Sequence, residues 1–596
     1  MHWKTRSIPT LFISIPSALL LVAAGCSPSG EPAARPPNVV VILADDQGWG
    51  DLSLHGNSNL STPHIDSLAR DGAMFEHFYV CSVCAPTRAE FLTGRYFARG
   101  GVRGVSTGQE RLNADEHTIA QTFRAAGYAT GAFGKWHNGT QHPYHPNARG
   151  FDEFYGFTEG HWGHYFDYEM DHNGELVRGE GFVIDDVTSR ALAFMEEHRD
   201  GPFLAYLPYN TPHSPMQVPD EYWQRFESRE LAMRHRDPDS EDVPKTRAAL
   251  AMVENIDWNV GRVLAKLEEL DLAEDTIVLY FSDNGPNSWR WNGGMKGRKG
   301  SVDEGGLRSP LVMRYPGTIP PGRSIDEVSG AIDLLPTLAD LTGIGVGAEK
   351  PLDGRSLAPL LLEEDADWQD RLLYSLRISR GRKQISVRNQ RFRLDPEGRL
   401  FDIETDPGQH EDVAETFPEE AESMRGAADA WLEEVAEEVG PDDRPFPVGN
   451  AALTLLPARD GVPRGNVQRS ARAPNCSYFT NWSSEDDRIT WDIEVAEAGE
   501  YDVSVHYAAA EAGSTIEVSF ENASIQGTIT EIHDPPAYGD SDDRVPRVGE
   551  SLVKDFRPLA LGTAVLPAAR GELALKAVTI AGKEAAEVRY VALRRR

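Results

Sequence analysis

Cysteine is scarce, 4 in 596 residues, so a disulfide framework is excluded as the means of holding a chain this long together. Cations are also in short supply, with 59 Lys and Arg against 93 Asp and Glu and a formal net charge of −34. That balance excludes a nucleic-acid binder, whose affinity comes from neutralising phosphates, and it requires any anionic substrate to be met by a locally basic pocket. No internal repeat of solenoid type is present, and beyond residue 24 no apolar run is long enough to span a bilayer. The length itself predicts more than one core, or one large core with an appendage.

The one long apolar run, residues 11–24, follows Lys4 and Arg6 and ends in Ala23-Ala24-Gly25-Cys26-Ser27, which reads as a signal peptide over 1–26. The small residues before Cys26 resemble a bacterial lipobox, which implies lipidation of Cys26, a membrane anchor, and a place in the cell envelope, periplasmic or at the cell surface. Residues 27–37, rich in Pro, Ser and Gly, then form a tether.

Short apolar runs rich in β-branched residues at 38–44, 202–209, 276–282 and 310–314 predict buried parallel strands, and helical spacing recurs at 117–126 and 245–270. Alternation of the two predicts an α/β fold with a mostly parallel sheet over 38–440, including a turn-rich segment at 393–414 and an acidic helix reaching about 439. Prolines and aspartates at 440–448 mark a boundary. Beyond it, period-2 alternation at 489–495, 501–507 and 515–520 predicts a β-sandwich over 450–596. Tyr478, Phe479, Trp482 and Trp491 there would form either its core or a sugar-binding platform.

Two of the predicted strands run into acidic or amide residues, Asp45-Asp46 and Asp283-Asn284. Ligands of open α/β sheets bind beyond the carboxyl ends of strands, so the pairs are expected to meet in one site, where oxygen donors alone suit Ca²⁺ or Mg²⁺ over zinc. Cys81 and Cys84 spell Cys-x-x-Cys, but no thioredoxin-like βαβ context surrounds them.

Cys84-Ala-Pro-Thr-Arg88, continuing to Leu92-Thr-Gly-Arg95, resembles the signature of the formylglycine-dependent sulfatases on the alkaline phosphatase-like fold. Further motifs follow in that family's order: Asp45-Asp46-Gln-Gly-Trp-Gly-Asp51, Gly134-Lys-Trp-His137, Pro212-His213, Ser282-Asp-Asn-Gly285 and Lys299-Gly-Ser-Val-Asp-Glu-Gly-Gly306. Thr87 stands where serine is more usual and keeps the hydroxyl. The resemblance implies that a maturation enzyme converts Cys84 to formylglycine, whose hydrate is the nucleophile. It implies one Ca²⁺ held by Asp45, Asp46, Asp283, Asn284 and residue 84. Arg88 and Lys135 would stabilise the hydrate, Lys299 would grip sulfate, His213 would protonate the leaving alcohol, and His137 would act as base in regenerating the aldehyde. Lys296 competes with Lys299 for the family lysine.

His161, His164, Trp289, Arg290, Trp291 and Arg298 lie in loops near these motifs and are candidate substrate contacts. The expected activity is hydrolysis of sulfate esters on a sulfated carbohydrate or an aryl sulfate. The alternatives are a phosphatase or phosphodiesterase of the same superfamily, which would use serine or threonine and two metals, and a catalytically silent glycan-binding lipoprotein.

Overall fold

The computed structural model describes residues 35–379, 381–439 and 442–596; the expected leader with its Cys26, and the tether up to residue 34, lie outside them. No helix among the described residues is long and apolar enough to cross a membrane.

The principal sheet is built from β1 (Asn38–Ala44), β2 (Ala73–Tyr79), β3 (Ala129–Lys135), β4 (Glu153–Phe157), β5 (Glu169–His172), β6 (Glu175–Arg178), β7 (Phe203–Pro208), β8 (Thr276–Ser282), β9 (Arg308–Arg314) and β10 (Arg323–Ile325). Their spatial order is β10-β2-β9-β8-β1-β7-β3-β4-β5-β6, with Ser329–Gly330 also paired to β2. The centre, β8-β1-β7-β3-β4, is parallel throughout. β1 shows why: Val, Ile and Leu without polar alternation can only be satisfied by apolar material on both faces. All seven of its residues are buried. Val40, Ile42 and Ala44 enter one core, packed with the helices Val183–Glu197 and Val243–Glu269. Val39, Val41 and Leu43 enter the opposite core, with the helices Cys84–Thr93, Ile119–Ala125 and Leu334–Thr342.

One expectation is corrected. The run 310–314 is a buried strand, but β9 lies antiparallel to β8, pairing Leu279 with Met313. A parallel return needs a long crossover, usually a helix. Between 283 and 307 the described chain forms only the four-residue helix Glu304–Leu307, having first looped past the ends of the strands.

A four-stranded antiparallel sheet (Leu373–Ser379, Arg382–Arg388, Phe392–Leu394, Leu400–Asp402) follows, and the helix Pro418–Val439 packs on it. The remaining strands form two six-stranded sheets. Arg488–Val495 lies in one and Gly499–Ala508 in the other, and their inward residues share a third core. Phe479, Trp482 and Trp491 are buried within that core, and Trp491 Nε1 donates to the Pro457 carbonyl at 3.1 Å. Tyr478 is buried as well, its ring against Phe556. The sugar-platform reading of Phe479, Trp482 and Trp491 therefore gives way to core packing, while Tyr478 lines a cavity of about 390 Å³ with Phe556 and Tyr590.

Candidate active site

Because β1 and β8 are parallel neighbours in register, with Ala44 opposite Ser282, the residues after each strand emerge side by side. Asp45 and Asp46 thus meet Asp283 and Asn284, and all four are buried. Asp46 sits at φ 68°, a conformation costly for a non-glycine residue. It is held there by its N–H donating to Asp283 Oδ1 at 3.2 Å and by Asn284 Nδ2 donating to its Oδ1 at 2.8 Å. The helix Cys84–Thr93 starts at Cys84 and ends at Gly94, whose left-handed φ of 66° closes it. All ten of its residues are buried, so residue 84 is presented at a fixed helix N-terminus.

The thiol reaches Asp45 Oδ1 at 3.2 Å, and ligand atoms of Asp45, Asp46, Cys84 and Asp283 all lie within 4.8 Å of one another. Three cations face the three carboxylates. Lys135 Nζ is 2.6 Å from Asp45 Oδ2, Lys299 Nζ 2.6 Å from Asp46 Oδ1, and Arg88 grips Asp283 Oδ2 through Nη2 at 2.8 Å and Nε at 3.1 Å. Lys299 also reaches Cys84 Sγ at 3.5 Å. Lys296 instead pairs with Asp303 at 3.1 Å, so Lys299 is the lysine at the centre.

Burial pulls the Asp45 carboxyl up, but Lys135, His213 and Arg88 hold it well below the usual range. Burial likewise opposes, and Lys299 and His213 outweigh, in lowering Asp46. Burial and the Asp45 charge push Asp283 up. Cys84 is pushed well above the ordinary thiol range by burial and by Asp283 and Asp45, and Cys81 by burial and Glu90. Both are therefore neutral thiols, which opposes thiolate redox chemistry.

The cluster fits a hard divalent cation on its own chemistry. Its donors are carboxylate and amide oxygens, and Asn284 Oδ1 is buried with no hydrogen-bond partner. A cation would also relieve the mutual repulsion of Asp45, Asp46 and Asp283.

Two histidines border the cluster. His213 Nδ1 contacts the Ser214 carbonyl at 2.6 Å and its Nε2 lies 3.6 Å from Asp46 Oδ2. His137 Nε2 contacts the Val105 carbonyl at 2.8 Å, while its Nδ1 is buried and unpartnered. Burial, then Lys135, keeps His137 neutral far below its ordinary range.

The remaining candidates divide. His161 joins the site, its ring stacked on His213 at 5.6 Å with Nε2 buried and unpartnered. His164 turns to the C-terminal sandwich, near Asp542 at 3.8 Å and edge-on to Tyr538. Trp289 is half-buried under Arg298, whose guanidinium lies 4.9 Å from its ring, with His235 on it as well. Trp291 packs on the backbone at Gly50. Arg290 is committed to partners within the protein. It is buried and spends its guanidinium on Asp51 at 2.6 Å, on the Asp46 carbonyl at 3.0 Å, and on Asn287 and Ser288.

Sequence reasoning missed contributions from the sandwich. Glu550 accepts from Ser214 Oγ at 2.5 Å beside His213, Arg547 donates to the Gly163 carbonyl at 2.7 Å, and Asn475 Nδ2 reaches the Val105 carbonyl at 3.4 Å. Separations of more than 330 residues leave no local signal for such contacts.

Comparison with known proteins agrees with this geometry. The Sulfatase family model matches residues 37–344, and that of N-sulphoglucosamine sulphohydrolase, C-terminal, matches 298–430. N-acetylgalactosamine-6-sulfatase of Mus musculus is 32% identical over 384 residues, covering 58% of this chain and 69% of the relative. Steryl-sulfatase of Rattus norvegicus is 33% identical over 417 residues, covering 55% and 71%. The crystal structure of Ps i-CgsB superposes with a TM-score of 0.60 at 30% identity, over 67% of this chain and 93% of that one, and it has also been solved with k-i-k-neocarrahexaose. With its α/β sheet, its clustered oxygen donors beside Cys84 and these relatives, the chain belongs to the sulfatase family, hydrolases of sulfuric esters on the alkaline phosphatase-like fold.

Proposed function

We infer that this enzyme removes sulfate from a sulfated glycan, with a nucleophile made from Cys84 and a bound Ca²⁺. The observation that carries this is the thiol of Cys84, buried and neutral, set among three carboxylates and three cations at one helix N-terminus. As encoded, that thiol is a poor nucleophile, which favours its conversion by a formylglycine-generating enzyme. Formylglycine, as its hydrate, would supply one hydroxyl for attack on sulfur and a second that, on deprotonation, becomes the carbonyl oxygen as sulfate leaves, so no water attacks sulfur. Asp45, Asp46, Asp283 and Asn284 would hold the Ca²⁺, which acidifies a hydroxyl and offsets the charge of the sulfate oxygens.

A sulfate ester shields its sulfur with anionic oxygens, so the chain must supply positive charge where negative charge develops. Arg88, Lys135 and Lys299 do so without needing to reorganise, since ion pairs already fix each of them. His213 donates from Nδ1 to the Ser214 carbonyl, which leaves Nε2 to carry the proton delivered to the departing alcohol. His137, neutral and committed through Nε2 to Val105, keeps Nδ1 free to take a proton from position 84. His161, stacked on His213, would line the leaving-group side. The glycan is favoured as substrate class by the name of the N-acetylgalactosamine-6-sulfatase relative and by the neocarrahexaose bound to Ps i-CgsB.

The test sets sulfate release from p-nitrophenyl sulfate against phosphate release from p-nitrophenyl phosphate, followed by desulfation of defined sulfated oligosaccharides. Preference for sulfate, lost in Cys84→Ala, is expected. Faster phosphate release, or full activity in the variant, would refute the assignment.

A further inference from the structure

A net charge of −34 leaves the capture of a polyanionic glycan unexplained, because the three cations at the reacting centre are already matched by carboxylates. The hairpin formed by Leu373–Ser379 and Arg382–Arg388 holds a different kind of cation. Across it Arg377 pairs with Gln384 and Ser379 with Arg382. Side chains of directly opposed residues share a face, and residues two apart along a strand do so too, which puts Arg377, Ser379, Arg382 and Gln384 on one side. The other side carries Leu376, Ile378 and Ile385 into an apolar cluster that also contains Val105, and Lys383, opposite Ile378, belongs to that side. Arg377, Ser379, Arg382, Lys383 and Gln384 line an open groove of about 890 Å³.

Among the described residues, no carboxylate forms an ion pair with Arg377, Arg382 or Lys383. Arg382 and Lys383 are exposed. Arg377 is half-buried, and its guanidinium is pushed down by burial with no acidic neighbour to compensate.

The hairpin reaches the reacting centre through Arg377 on its groove face and through Ile378 on its apolar face. Arg377 donates to the carbonyl of Gly300, the residue after Lys299, and Gly300 N–H in turn donates to Ser82, two residues before Cys84. Ile378 packs in the cluster of Val105, whose carbonyl holds His137. A Cβ on Gly300 would lie 3.4 Å from Arg377 Nη2, so the hairpin and the Lys299 loop touch.

We propose that Arg377 and Arg382, which share one face of the hairpin, form a second anionic subsite, which binds a sulfate group on a sugar residue adjoining the one that is desulfated. This rests on the glycan reading above, and it makes the enzyme selective for polysulfated over singly sulfated substrates. Arginine suits the task because its planar fork matches an oxyanion, and unpaired cations in a groove bind without first breaking an ion pair.

The test is binding of a fluorescently labelled dextran sulfate oligosaccharide to the full chain, read by anisotropy and independent of turnover. Arg377→Gln/Arg382→Ala is expected to weaken binding about tenfold and to flatten its salt dependence. Removing two exposed cations elsewhere, in Arg70→Ala/Arg124→Ala, controls for net charge and should weaken it less than twofold. Equal losses in the two variants, or no loss in the first, would overturn the subsite. Hydrolysis of p-nitrophenyl sulfate by the wild type is measured in parallel. Absence of turnover with intact dextran sulfate binding would count against the catalytic reading alone. Among substrates, the ratio of kcat/KM for a disulfated over a monosulfated oligosaccharide should fall in the hairpin variant, and an unchanged ratio would also overturn the proposal.

Discussion

Replacing Arg290 separates two ideas of what that residue does. Its position in the Trp289-Arg290-Trp291 loop suggests a substrate contact, whose loss would raise KM and leave stability alone. The structure gives it another task. Its side chain and that of Asp51 are each only 1% exposed, and they are joined through Nη2 at 2.6 Å and Nε at 2.9 Å and 3.0 Å. In Arg290→Met the apolar stem is kept, but Asp51 is left as a buried carboxylate whose remaining partner is Gly48 N–H at 2.7 Å. Orphaning one member of a buried pair costs about 3–5 kcal/mol. The Asp46 carbonyl loses its donor too, next to a φ of 68° that needs outside support, so cation affinity should fall along with stability. Chemical denaturation at saturating and zero Ca²⁺ measures both effects. Asp51→Asn/Arg290→Met should recover much of the loss, because it removes the stranded charge, and Arg290→Lys should recover little, because one ammonium cannot span Asp51, Asp46 and Asn287. A wild-type denaturation midpoint with a raised KM would refute the reasoning.

Cys84→Ala should fold normally, since the site removes only a small side chain, and should release no sulfate; wild-type protein from the native host should give a peptide in which one sulfur and two hydrogens are exchanged for one oxygen, and an unmodified thiol there would contradict the nucleophile assignment. Chelation should abolish turnover, and restoring Ca²⁺ to about 100 times its Kd should stabilise the fold by ~2.7 kcal/mol in thermal unfolding, an increment that Asp283→Ala lacks. Glu90 is buried, and burial raises its carboxyl to about 8. A raised carboxyl favours the folded state while it is protonated, so this contribution is lost as pH rises from the unfolded value of about 4.3 towards 8. Glu90→Gln should therefore gain about 1–3 kcal/mol at pH 8 and none at pH 4, and parallel stability profiles for the two proteins would rule this out.

The sequence alone determined the parts whose signal is local. Uninterrupted Val, Ile and Leu at 38–44 and 276–282 demand burial on both faces, and period-2 alternation after 488 demands a half-buried strand, so sheet, sandwich and the Asp45-Asp46 and Asp283-Asn284 pairs could be placed from residue type and spacing. The direction of β9 could not, because a strand of either orientation buries the same apolar run and only the missing crossover decides between them. Nor could the fates of Arg290, Trp482 and Trp491, since a cation or an aromatic in a loop or strand looks the same in sequence whether it meets solvent, substrate or a buried partner. Tertiary structure also decided what no spacing encodes: Lys299 rather than Lys296 at the thiol, the sandwich's Glu550 beside His213, and a hairpin of unpaired cations beside the reacting centre. Each of these is a contact between segments remote in the chain, fixed by how the sheets and loops pack, and packing is a property of the whole fold.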